Sequence, residues 1–524
     1  MNQHTLNTAL IASIVALGGF LMGFDASVIS GAVKFIELEF DLNKIELGWS
    51  VASLAFAATF AMMVAGPLSD RLGRKPILKY AAILFFVSAL MSALAPSFLF
   101  LVIARMIGGL GVGAALIVAP MYIAEISPPQ IRGRMVSINQ LNIVVGISVA
   151  FFMNYLVLKL GQSGSDLALA LRLGEWNWRW MLGLEALPAV LYFFSLWLVP
   201  ESPRWLVMKD RQNEALQVMS RFNPSDKALD QVREIRASFT QKTAGKQSRL
   251  AELFTKPMRL VLIIGVTVAI LQQITGINSV FFYAPMIFEQ SGIGTDASYM
   301  QAILVGLTNL FFTLLAIALI DRLGRKTLLG FGISGIAICM FVLAYGFGSS
   351  TYNLSKESID QLPENIDRVQ IRQIENRTFD SDLSYKKALA DILGEKTLKE
   401  NESILISTSI SMNPKIILAG ILGFVASFAI SIGPVMWVLF SELFPNRIRA
   451  VAISFVGFIN STVSFLVQLV FPWELSTLGN AGTFLLYGLF ATAGLIIIIR
   501  ILPETKGKSL ESLEQILLKQ PGSA

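Results

Sequence analysis

Asp70-Arg71-Leu72-Gly73-Arg74-Lys75 recurs, letter for letter, as Asp321-Arg322-Leu323-Gly324-Arg325-Lys326. An identical run of six charged and small residues has little chance of arising twice at random in one chain. Each copy follows one long apolar run and precedes another. The chain therefore reads as two copies of one membrane module, and internal duplication is how many transporters are built.

Composition agrees. Of 524 residues, 54% are hydrophobic and 15% charged, against about 25% charged in soluble proteins. Crossing a bilayer takes roughly 20 apolar residues. Twelve such runs fall at 9–33, 47–69, 76–96, 98–123, 135–158, 179–199, 258–288, 299–320, 327–348, 414–440, 450–472 and 482–502. In hydrocarbon only helices and closed barrels satisfy their backbone. Unbroken apolar runs indicate helices, because a barrel strand alternates over about ten residues. The expected fold is an all-α membrane protein with twelve transmembrane helices in two pseudo-symmetric halves of six.

The net charge of +6 could suggest nucleic acid, but its placement argues for a lipid bilayer instead. Basic residues follow helices 2, 4, 6, 8 and 10: Arg71, Arg74 and Lys75; Arg132 and Arg134; Arg204 to Lys256; Arg322, Arg325 and Lys326; Arg447 and Arg449. Alternating helices put all of these on one side. The positive-inside rule makes that side the cytosol, with both termini there. The first run lacks a basic leader and a small-residue cleavage site, so it reads as a retained span. Cys339 is the only cysteine, which excludes an intrachain disulfide. His4 is the only histidine, so proton chemistry inside the membrane must use carboxylates. No nucleophile–base pair, metal-ligand cluster or phosphate loop stands out, so neither catalysis nor a metal or cofactor is expected beyond a coupling proton.

The duplication extends further. Glu125 and Arg132 are seven apart after helix 4, as are Glu442 and Arg449 after helix 10. Pro200-Glu201-Ser202 follows helix 6 and Pro503-Glu504-Thr505 follows helix 12. The first motif is displaced by 251 residues (70 to 321) and the second by 317 (125 to 442), which locates an insertion of 66 between helices 8 and 10. The polar stretch 349–413 fits that length. It carries more acid than base, unlike the cytosolic loops, and is expected outside, with a surface helix at 384–400. Three triplets there have the form of glycosylation acceptors, at Asn353, Asn376 and Asn401, a form frequent by chance in polar loops. The expected organisation is a first half at 1–202, a cytosolic linker of short amphipathic helices at 203–257, a second half at 258–508 holding the insertion, and a cytosolic tail at 509–524.

Six motifs, in order, resemble the sugar-porter branch of the major facilitator superfamily. They are Gly23-Phe24-Asp25 with Val28-Ile29-Ser30-Gly31, the run from Arg105 through Gly108, Gly109, Gly111 and Gly113, Pro200-Glu201-Ser202-Pro203-Arg204, Gln272-Gln273 with Gly276 and Asn278, Gly433-Pro434 with Trp437, and Pro503-Glu504-Thr505-Lys506-Gly507. The pattern is similar to bacterial xylose–proton symporters, with animal glucose facilitators next. The resemblance implies the major facilitator fold and a monomeric sugar transporter working by alternating access. It spans nearly the whole chain except 349–413.

Asp25 lies well inside an apolar helix, where an ionised carboxylate costs at least a few kcal/mol unless it is paired or protonated. Arg105 is its expected partner. Asp25 falls late in outward-running helix 1 and Arg105 early in inward-running helix 4, at similar depth. A cation that approaches and withdraws can bind and release a proton from the acid. The resemblance adds that an acid at this position marks proton-coupled members, where uncoupled facilitators carry an amide.

A sugar needs several directional hydrogen bonds in a cleft with apolar walls. Amides suit it, offering donors and an acceptor each. The candidates are Gln272, Gln273 and Asn278 in helix 7, Asn309 in helix 8, Asn460 in helix 11 and Gln140 in helix 5, with Trp437 in helix 10 to stack on the ring. A straight helix cannot put Gln272 and Asn278 on one face, because six residues turn through about 240°; Gly276 and Pro285 permit a break. The family pattern implies that the outer part of helix 7 moves as a gate. Two positions depart from the symporter pattern: Phe282 stands where it has a tyrosine, and Ser461 where it has a tryptophan. A larger or more polar sugar would fit so altered a pocket.

A second constellation is expected to latch the cytosolic side: Asp70, Arg71, Arg74, Glu125, Arg132, Glu185 and Arg204, with Asp321, Arg322, Arg325, Glu442 and Arg449 in the second half. Surface-facing pairs contribute up to about 1 kcal/mol each. The leading functional expectation is a sugar–proton symporter. The alternatives are a facilitative uniporter with a permanent Asp25–Arg105 pair, and a transporter-like sugar sensor.

Overall fold

The computed structural model describes residues 3–243, 250–364, 366–445 and 448–504. Among the described residues, ten helices are long and apolar enough to cross a membrane. They account for eleven of the twelve expected spans, and the sixth is a broken helix. The spans are α1 (Gln3–Glu39), α2 (Lys44–Leu72), α3 (Arg74–Ala93), α4 (Phe98–Ile126), α5 (Arg132–Gln162), α6a (Asn177–Gly183) with α6b (Ala186–Ser195), α7a (Arg259–Ile274) with α7b (Ile277–Glu289), α8 (Thr295–Leu323), α9 (Arg325–Gly348), α10a (Pro414–Ile430) with α10b (Ile432–Leu443), and α11 and α12, the two arms of Arg449–Ile501.

The breaks have local causes. Proline lacks an N–H and crowds the carbonyl four residues back. Pro188 is four residues after Leu184, between α6a and α6b, and there the Leu184 carbonyl accepts from Leu187 N instead. Pro434 is four residues after Ile430, where α10a stops. Gly276 separates α7a from α7b with φ of +87°, a left-handed conformation that glycine adopts without a Cβ penalty. The same freedom turns α11 into α12 at Gly479, with φ of +71°.

Two compact units partition the chain. The first comprises Met1–Val28, Ser53–Ala150 and Arg179–Glu252. Its core joins Val15 and Ala16 of α1, Ala81 and Phe85 of α3, Ala115 and Ala119 of α4, and Tyr192 of α6b. α1 crosses α5 at backbone contact: a Cβ on Gly23 would overlap the Ile143 carbonyl, and one on Gly146 the Phe20 carbonyl. Small residues permit such approach in lipid, where tight packing replaces the hydrophobic drive. The linker's expected amphipathic helices are present at Pro203–Met208, Gln212–Met219 and Ser225–Thr243, with a small core including Leu206, Ala215, Met219 and Ala228.

The second unit comprises Ile29–Ala52, Phe151–Trp178 and Leu253–Ala524. It gathers the ends of α1, α2 and α5 remote from the basic loops, here termed outer ends, with α7 to α12. Tyr299 of α8 donates to the Gly31 carbonyl of α1 at 2.5 Å. Lys34 of α1 pairs with Glu289 of α7b at 2.9 Å, and Lys159 of α5 with Asp296 of α8.

The 349–413 stretch is more ordered than its polar composition suggests. Strand β1 (Thr351–Asn353) pairs antiparallel with β2 (Thr378–Phe379) and β3 (Ile410–Ser411). Tyr352, Ile359, Ile371, Phe379, Tyr385 and Leu405 form a core of its own. The expected helix at 384–400 is two helices, Asp382–Leu393 and Glu395–Ser409, because Gly394 sits between them at φ +80°. Asn401 is buried, which removes its triplet as an acceptor.

Candidate functional site

In the first unit, Asp25, Arg105 and Glu185 form one cluster, fully buried or nearly so. Gly108 of α4 makes room for it, since a Cβ there would lie 2.8 Å from Asp25 Oδ2. Arg105 Nη1 donates to Asp25 Oδ1 and, at 3.1 Å, to the Asp25 carbonyl. Glu185 is close enough to interact electrostatically with both. Asp25 Oδ2, Glu185 Oε1, and Arg105 Nε and Nη2 are buried without hydrogen-bond partners. One guanidinium faces two carboxyl groups, and much of its donor fork is unused.

Glu185 was expected among the cytosolic charges, and the structure corrects that. The Leu184 break admits it to the interior beside Arg105. The signal that singled out Asp25, an acid within an apolar run, was also present at Glu185 within 179–199.

In the second unit, the break at Gly276 gathers amides from three helices. Asn460 Nδ2 donates to Gln272 Oε1 at 2.7 Å and to the Ala269 carbonyl at 2.9 Å. Gln273 Nε2 donates to Gln272 Oε1 and to Asn460 Oδ1, both at 3.2 Å. Asn278 Nδ2 donates to Gln273 Oε1 and to Ser464 Oγ, both at 2.7 Å. Gln468 Nε2 reaches the same Ser464 at 2.8 Å. Ser464 and Gln468 escaped the sequence reading, although their spacing of four and eight from Asn460 places them on its face of α11. Trp437, 44% exposed, stands on α10b over Gly457 of α11. Phe282 is buried in α7b, and Ser461 is half-buried next to Asn460. Asn309 is buried in α8, with no hydrogen bond to the amide network among the described residues. Gln140 lies exposed on α5 in the first unit.

The basic loops repeat in three dimensions. Arg74 Nε and Nη2 donate to the two oxygens of Glu125 at 3.0 Å each, and its Nη1 lies 2.9 Å from Asp70. Arg325 pairs with Glu442 at 2.9 Å. Glu201 accepts from the backbone N–H groups of Arg74 and Lys75, and Glu504 from that of Arg325, so each Pro-Glu motif caps the helix of its own half. Burial pushes the Glu201 carboxyl up, against these bonds, which pull it down. Arg74 and Glu125 are not surface-facing as expected; they are 5% and 9% exposed. Arg71 is exposed, and Arg204 is half-buried. Arg132 and Arg449 donate to carbonyls of their own loops, at Ser127 and Phe444. The side chains of Asp321 and Arg322 lie outside the described residues.

A duplicated twelve-span fold of this kind, with a buried charge cluster in one unit and an amide cluster in the other, defines a major facilitator transporter. The chain belongs to the sugar (and other) transporter family, whose model matches residues 11–360 and 397–517. It is 33% identical to the arabinose–proton symporter of Bacillus subtilis, over 99% of this chain and 97% of that one. It is also 33% identical to the D-xylose–proton symporter of Escherichia coli, over 97% and 95%. A solved structure of the xylose transporter XylE from E. coli, in a partially occluded inward-open conformation, superposes with a TM-score of 0.73 at 31% identity, covering 96% of this chain and 99% of that one.

Proposed function

We propose that this chain imports a sugar by proton symport and alternating access, across a cell membrane, as a monomer with both termini in the cytosol. The carrying observation is the Asp25–Arg105–Glu185 cluster. A structural ion pair saturates its hydrogen bonds, because an unpaired buried charge is costly. This one leaves polar atoms of all three residues unpartnered, the mark of a group that exchanges partners. Charge balance asks one of the two carboxyl groups to be neutral; Asp25 is read as the proton carrier because Arg105, which it bonds directly, can compete with the proton for it. Glu185 joins them by geometry.

The sugar binds at Gln272, Gln273, Asn278 and Asn460, with Asn309 supplying a further contact and Trp437, Phe282 and Ser461 the walls. The amides now bond mainly one another, so sugar hydroxyls replace existing bonds at little net cost. The two halves, 1–202 and 258–508, rock about this site, and the motif charges at the basic loops, paired within each half, latch the helices of that half together. One charge moved through 100 mV supplies about 2.3 kcal/mol.

The test is uptake into proteoliposomes from a panel of pentoses, hexoses and polyols, for wild type and Asp25→Asn. Wild type should concentrate its sugar only with an inward proton gradient. The variant should keep counterflow and lose accumulation. Equilibration by both proteins regardless of pH would make this a uniporter.

A further inference from the structure

We infer that the folded insertion at 349–413 is a strap that holds the outer mouth closed and lets go at Lys399 in each cycle. The inference rests on the alternating-access reading above. Residues 361–396, which hold Asp382 and Lys386, fall outside the family match, whereas Lys399 and Glu402 fall within it.

The strap has its own core and sheet and so moves as one piece. It is anchored twice to the second half. Asp382 Oδ2 accepts from Asn480 N at 3.0 Å and from Asn480 Nδ2 at 2.8 Å, fixing the start of α12 just past the Gly479 turn. At the second anchor, Lys386 Nζ donates to Gln290 Oε1 at 2.7 Å and Gln290 Nε2 to Glu402 Oε1 at 3.0 Å. Gln290 ends α7b, the segment severed from α7a at Gly276. The link to the first half is of another kind. Lys399 Nζ reaches Asp41 Oδ1 at 3.3 Å and the Leu42 carbonyl at 3.2 Å, in the turn between α1 and α2. Asp41 is 79% exposed, so water competes for this contact, whereas Asp382 is buried. One side of the strap is thus fixed by buried hydrogen bonds, and the other is held by Lys399 together with the charge of Lys44 on Glu402. A closed strap joins α7b to the α1–α2 turn, adding to the direct Lys34–Glu289 pair between α1 and α7b, and both contacts part when sugar enters from outside.

The experiment measures distances by double electron–electron resonance, with nitroxides at Glu175→Cys and Met300→Cys in a Cys339→Ser background. Both sites are exposed and outside the strap. Lys399→Met and, separately, Asp41→Asn should each raise the ratio of long to short distances about two- to fivefold, the range for an exposed ion pair, and Lys399→Arg should restore it. Unchanged ratios in Lys399→Met and Asp41→Asn, with two distances present in wild type, would overturn the strap alone. A single distance in wild type under every combination of sugar and proton gradient would overturn alternating access, and the strap with it.

Discussion

The two copies of the repeated motif are identical in sequence, yet their ion pairs should differ in strength. Glu125→Gln removes one charge from a pair only 5% and 9% exposed, with the two carboxylate oxygens each taking one guanidinium N–H. Glu442→Gln does the same to a pair 13% and 20% exposed, in which Nε and Nη2 of Arg325 both point at Oε1. Breaking a well-buried pair costs about 3–5 kcal/mol, and the exposed Asp70 beside Arg74 Nη1 offsets a part of that, placing the loss near the lower end. The wetter pair should cost about 1–3 kcal/mol. The expected gap of about 1 kcal/mol amounts to a few degrees at most in unfolding midpoint, readable by thermal unfolding in detergent. In a double-mutant cycle, Arg74→Met should rescue part of the Glu125→Gln loss, because it removes the stranded cation. If Glu442→Gln destabilises as much as Glu125→Gln, burial does not set the strength of these pairs.

The strap should come apart in acid. Burial pushes Glu402 up, but Lys386, Lys44 and Gln290 outweigh it and hold the carboxyl at about 2, against 4.5 when free. A depressed folded value means this contribution is whole above pH 4.5 and fades as the pH falls toward 2. Hydroxyl-radical labelling of the buried Tyr352 and Tyr385 should rise across that window in wild type and lose the step in Glu402→Gln; a step placed between pH 5 and 7 would contradict the assignment. At the α1–α5 crossing, Gly23→Val drives side-chain atoms into the Ile143 carbonyl. Overpacking of about 1–3 kcal/mol should lower thermal stability, whereas Gly66→Val, which meets nothing within 4 Å, should not.

Most of the fold was legible because lipid leaves few choices. Backbone must close on itself, so apolar length gives the spans, and the repeated hexapeptide gives their duplication. Asp25 and the helix 7 amides were legible for the same reason: polar groups are conspicuous against hydrocarbon. Glu185 was equally conspicuous, but only the break at Leu184 brought it beside Arg105. Ser464 and Gln468 are common residue types whose part depends on which face of α11 meets Asn278. The strap shows the limit most plainly. Its sequence reads as a polar loop, because a core of about a dozen side chains dispersed over sixty residues leaves no long apolar run. Charge spacing marked the repeated motifs but not their partners: Glu125 and Glu442 bond Arg74 and Arg325 of another motif, while Arg132 and Arg449, seven residues on from each acid, bond loop carbonyls. How dry each pair is, and which lysine reaches which turn, depends on neighbours brought together from distant parts of the chain, and only the tertiary structure decides that.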